Sequence, residues 1–66
     1  MKIKVHVPIE MEENEIALEK GAVVDVVEDI PRALGWQIRW WVKDKQGRRI
    51  GLYEHEAHIV EEEVVA

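Results

Sequence analysis

Glu54-His55-Glu56-Ala57-His58 gathers the side chains in this chain best suited to hold a metal or move a proton. On a helical turn, His55 and His58 stand at i, i+3 and could reach one ion with Glu54 or Glu56 assisting. Two histidines and a mobile carboxylate fall short of a closed site, and the i, i+4 spacing of HExxH is absent. The same groups could do acid–base work. They have no nucleophile to serve, because the chain contains no Ser, Thr or Cys and Tyr53 carries its one side-chain hydroxyl. There is no phosphate loop, and 66 residues leave little room for a water-excluding cleft. The expectation is a non-enzymatic protein with no catalytic residue, no cofactor and no resident metal.

Two charged constellations point to binding instead. The net charge of −5 is unevenly spread. Residues 32–49 hold six cations and one acid, a net +5, and the rest holds three lysines and thirteen acids, a net −10. In the basic stretch, Arg39, Trp41, Lys43, Lys45, Arg48 and Arg49 could contact phosphates while Trp41 stacks on a base. The competing reading is a solvated strand face whose cations pair with the acidic loop, and overall acidity opposes attraction to a polyanion. The acidic stretch Glu10–Glu19 could capture a basic residue of a peptide, or simply keep a loop soluble.

The elements that must position these groups read as short strands. Lys2–Val7 alternates, with Ile3, Val5 and Val7 on one face. Pro8 ends that ladder because it has no N–H. Ile9–Lys20 could form a helical turn or two. Its apolar stripe is too short for a stable helix, so a long acidic hairpin-like loop is preferred, with Ile16 and Leu18 pointing inward. Ala22–Ile30 is a strand with Asp25 and Glu28 outward. Pro31–Gly35 is a loop. Trp36–Lys43 is a strand placing Ile38, Trp40 and Val42 on one face and Gln37, Arg39, Trp41 and Lys43 on the other. Parity makes Trp40 a core residue and Trp41 the outer one. Asp44–Gly47 is a hairpin turn, Arg48–Tyr53 a strand, Glu54–His58 a tight turn and His58–Val65 a last strand. The length allows one domain, residues 1–66, with no linker or repeat. No membrane span or leader is read from the chain, so a soluble, cytoplasmic protein is the default. Abundant Glu, Lys, Arg and Val with a single Asn lean toward a heat-adapted source.

These residues resemble an SH3 domain across most of the chain. Glu15-Ile-Ala-Leu-Glu-Lys-Gly21 followed by Val23–Glu28 is similar to the family's diverging turn and following strand. Trp40-Trp41 stands where the family carries its Trp pair. Gly51-Leu-Tyr53 looks like its "GLF/GYI", and Ile59 falls near its closing Val. The resemblance implies an all-β fold, a five-stranded barrel with a long acidic RT-type loop and a short 3-10 turn before the last strand. The ligand groove departs from the family. Val5-His-Val-Pro-Ile9 replaces "ALYDY", Glu54 replaces the groove proline, and Ala57 or His58 replaces the groove tyrosine. Most aromatic walls for a proline helix are missing, so PxxP binding of the usual type is not expected.

The reading is a protein-interaction module or small accessory subunit that binds a protein or peptide partner carrying a basic residue. The expected contact residues are Trp41, Glu12, Glu13, Glu15 and Glu54. The alternative is a nucleic-acid-binding barrel using Arg39, Lys43, Arg48 and Arg49. A structural oligomer is a third class, and the sequence does not fix the oligomeric state.

Overall fold

The structure, a computed structural model, describes residues 1–12 and 15–61. Seven strands follow in order: β1 (Lys2–Val5), β2 (Ile9–Glu10), β3 (Ile16–Leu18), β4 (Val23–Asp29), β5 (Ile38–Lys43), β6 (Arg49–Tyr53) and β7 (Ala57–Glu61). A 3-10 turn, Glu54–Glu56, joins β6 to β7. The fold is all-β, with one five-stranded antiparallel sheet in the order β6-β5-β4-β1-β7 and a two-stranded ribbon of β2 and β3. β6 and β7 are the edges of that sheet. No helix among the described residues is long and apolar enough to cross a membrane.

Alternation explains most of the strands. Ile3 and Val5 are buried on β1 while Lys2 and Lys4 are exposed, as a period of two demands. Trp40 and Val42 on β5 meet Leu52 and Ile50 on β6 across the ladder, and all four are buried. Ala17, Leu18 and Ala57 complete the core with Ile3 and Val5. Val24 and Val26 pack against it, leaving Asp25 and Glu28 outside as expected. The acidic segment is the hairpin-like loop foreseen, its arms being β2 and β3. Its base is closed where the Val5 amide donates to Ala22 and the Gly21 amide donates to Val5, at 2.9 and 2.7 Å.

Four details differ from the sequence reading. β1 stops at Val5, because the His6 amide donates to the Glu56 carbonyl at 2.8 Å and the chain bends there. Val7 is left outside, 44% exposed. Ile16 also faces solvent, 52% exposed, because Ala17 and Leu18 take the inward positions of β3. β5 begins at Ile38, so Trp36 and Gln37 belong to the preceding turn. Finally, the β5–β6 register slips between Ile38 and Trp40, and a one-residue slip exchanges faces. Ile38 therefore leaves the face of Trp40 and Val42. The stretch 62–65 of the expected last strand lies outside the described residues, as does Glu13.

Candidate interaction surface

The loop between β4 and β5 shapes the first wall of the site. Its base is closed by the Ile30 amide, which donates to the Arg39 carbonyl at 2.9 Å. A first turn follows, with the Ala33 amide donating to Ile30 at 3.0 Å and Pro31 in the second position, where its fixed φ fits. A second turn is held from both sides. The Gln37 amide donates to the Leu34 carbonyl at 2.8 Å, and the Leu34 amide donates to Gln37 Oε1 at 2.9 Å. Both turns are thus closed by bonds within the loop, and its large side chains stay outside. Leu34 is 55% exposed and Trp36 73%.

The register slip builds the second wall. Ile38, moved to the outer face, lies over Gly51. A Cβ at position 51 would come within 2.5 Å of Ile38 Cδ1, so only glycine leaves space for this packing. Trp41, opposite Gly51, is half-buried. The Arg49 guanidinium lies over its ring at 5.1 Å, and Arg49 also approaches Glu28 at 3.6 Å. Tyr53 closes the far end, with His55 stacked parallel to it at 5.8 Å between ring centroids. The 3-10 turn behind Tyr53 is fixed by Glu56, whose carboxylate accepts from the Tyr53 amide at 2.9 Å. Ile30, Trp36, Ile38, Trp41 and Tyr53 line an open cleft of about 530 Å³. A cleft walled by three aromatic rings and two isoleucines can take an apolar or aromatic side chain.

The expected contact residues are dispersed. Trp41 lies in the cleft, and Glu54 is exposed immediately after Tyr53. Glu12 is exposed on the acidic loop. Glu15 is turned toward the β5–β6 hairpin, where it accepts from Arg48 at 3.0 Å and from Gln46 at 3.3 Å. Trp36 was not anticipated as a site residue. The available signal was a large apolar side chain beside Gly35 in a segment punctuated by Pro and Gly.

The basic residues are largely paired. Arg39 forms an ion pair with Asp29, Arg48 bonds Glu15 and Asp44, and Arg49 approaches Glu28. Lys43 has no carboxylate within ion-pair distance among the described residues. Asp44 is the most engaged acid, with its side chain 2% exposed. Its Oδ1 accepts from the amides of Gln46 and Arg48 at 2.9 Å each, and its Oδ2 accepts from Arg48 Nε at 2.7 Å. Burial pushes the Asp44 pKa up, but the hydrogen bonds from Arg48 and Gln46 and the Arg48 charge outweigh it, so the net shift is downward. The Arg48 pKa is raised, first by its bond to Glu15 and then by its bond to Asp44.

The two histidines of the 54–58 segment are not brought together on one ion. His55 stacks on Tyr53, whereas His58 meets His6 across β7 and the end of β1. No cluster of three or more metal-ligating side chains occurs among the described residues. No family model matches the chain, and no curated protein or solved structure shows significant similarity to it.

Proposed function

We propose that this chain is an SH3-like small barrel that binds a protein or peptide partner through the cleft of Trp36, Trp41 and Tyr53. The strand order β6-β5-β4-β1-β7, the acidic hairpin between β1 and β4, and the 3-10 turn before β7 support the barrel reading. The observation that carries the functional reading is the solvent-facing aromatic cleft, in which Trp36 is 73% and Tyr53 37% exposed. Aromatic anchors in such clefts dominate binding energies at interfaces. Glu54 stands beside Tyr53 to orient a basic residue of the partner, and Glu12 adds negative charge on the acidic loop. Glu15 is the weaker candidate, since its carboxylate already holds Arg48.

The nucleic-acid reading has less support, because Arg39, Arg48 and Arg49 each have an acidic neighbour, and Lys43 alone of that set has none among the described residues. An NMR titration of labelled protein with a basic, aromatic-containing peptide pool and with short DNA and RNA separates the two. Peptide binding should move the indole N–H signals of Trp36 and Trp41 and leave that of buried Trp40 in place. Salt-sensitive shifts on Arg39, Lys43, Arg48 and Arg49 with oligonucleotides, and none with peptides, would overturn the reading.

A further inference from the structure

We infer that His6 and His58 form a two-imidazole site for a borderline divalent transition-metal ion, of the Zn²⁺, Ni²⁺ and Cu²⁺ class. The two residues are 52 positions apart in sequence, yet His6 Nε2 and His58 Nδ1 face one another in direct contact. Their ring centroids lie 4.6 Å apart with the planes inclined at 45°. The sheet fixes this meeting. β1 and β7 pair with Lys4 opposite His58 and Val5 opposite Ala57, and the His6 amide bonds Glu56, so the two rings are diagonal neighbours on the same face.

One nitrogen comes from β7 and the other from the bend just after β1, held by the His6 amide bond to Glu56, and the two already face each other as a metal needs. The rings have only to part until each nitrogen stands about 2.0–2.1 Å from an ion between them. Each neutral ring then keeps its single proton on the remote nitrogen, His6 Nδ1 and His58 Nε2. Ion entry therefore releases no proton from a neutral pair. Both side chains are exposed, so the ion can retain water in its other positions. Imidazole ligands favour Cu²⁺, Ni²⁺ and Zn²⁺ over the oxygen-seeking Mg²⁺ and Ca²⁺. The net charge of −5 draws cations toward the molecule. Lys4 is the opposing charge, and its long exposed side chain can carry its ammonium away. Neither His6 nor His58 lines the aromatic cleft, so the site does not depend on it.

The test is thermal melting of the full chain with NiCl₂ or ZnCl₂, and with MgCl₂ as control. An ion that ties β1 to β7 in the native state raises the Tm by mass action. At about 1 mM metal and a Kd near 10 µM the rise should be on the order of 10 °C for a domain this small. His6→Gln and His58→Gln should each abolish the rise, while His55→Gln should keep it. Both variants change exposed side chains and are expected to fold. Substoichiometric Ni²⁺ should also broaden the ring signals of His6 and His58 before that of His55. No rise with Ni²⁺ or Zn²⁺, survival of the rise in either His6→Gln or His58→Gln, or its loss in His55→Gln would overturn the assignment.

Discussion

The two ends of the β5–β6 ladder are built on opposite terms. At the hairpin end the register is regular, Val42 opposite Ile50 and Lys43 opposite Arg49. There the turn is stitched by Asp44, which accepts from two amides and a guanidinium, and Gly47 takes the φ of 79° that a side chain would resist. Asp44, Gln46 and Arg48 all have partners at that end, and Glu15 reaches over from the acidic loop to supply one of them. At the loop end the register slips, Ile38 changes face, and Trp36 and Leu34 stand in solvent. One end spends its side chains on itself. The other satisfies only its backbone and leaves its apolar side chains unspent. On the proposed function, the hairpin end serves stability and the loop end serves recognition.

The sharpest way to break this division is at Trp40, which lies at the junction but points into the core, 3% exposed. Trp40→Ala should cost about 3–5 kcal/mol in urea unfolding, the range for truncating a buried large aromatic. Trp40→Phe should cost much less. It keeps most of the ring and removes the indole N–H, which is buried without an acceptor among the described residues. If Trp41→Ala destabilised the fold as much as Trp40→Ala, the two faces of β5 would not be distinct.

Gly51 tests the slip itself. Gly51→Ala places a methyl against Ile38, whose Cδ1, Cγ1 and Cγ2 would lie 2.5, 3.1 and 3.2 Å from it. Overpacking of this kind costs about 1–3 kcal/mol. The damage should fall on the cleft, shifting the Trp41 indole signal more than that of Trp40. Ile38→Ala should relieve it, so the double mutant should be more stable than the sum of the two single effects implies. Strict additivity would mean that Ile38 does not cover Gly51.

The hairpin end should titrate. The folded-state pKa of Asp44 is lowered, so its contribution is fully present above its unfolded pKa and is lost as pH falls through the folded value, below about pH 4. Asp44→Asn should lower the Tm at neutral pH and flatten its fall in acid. An acid profile identical to that of the parent would show that the Asp44 bonds add nothing to stability.

The contrast between the ends also explains what could be read from the sequence. Parity alone separated Trp40 from Trp41, because both lie in the regular part of β5. It failed two residues earlier at Ile38, since a register slip is set by the partner strand and leaves no mark in the alternation. Gly47 announced its turn. Gly51 did not announce its function, which depends on a side chain thirteen positions away. The pairing of Arg48 with the acidic loop was one of two readings that charge pattern offered, and the distances select it. The meeting of His6 with His58 could not be read at all, because nothing local encodes a contact between the first and last strands of the sheet.

The smallest effect on stability, and the most telling, is expected at Trp36. At 73% exposed it gives the fold little, so Trp36→Ala should change unfolding free energy by less than about 0.5–1 kcal/mol, as for other surface substitutions. If the cleft binds a partner, the same change removes one of its aromatic walls and should weaken affinity by at least tenfold, about 1.4 kcal/mol or more in calorimetric titration. Trp41→Ala should weaken binding at least as much, with a somewhat larger loss of stability because the ring is half-buried beneath Arg49. A protein in which Trp36→Ala is neutral in both assays would hold an exposed tryptophan for no purpose at that end of the ladder, and the recognition surface would have to be sought elsewhere. The concavity of about 580 Å³ lined by Ile16, Leu18, Val23 and Val27 would then be the next place to cut.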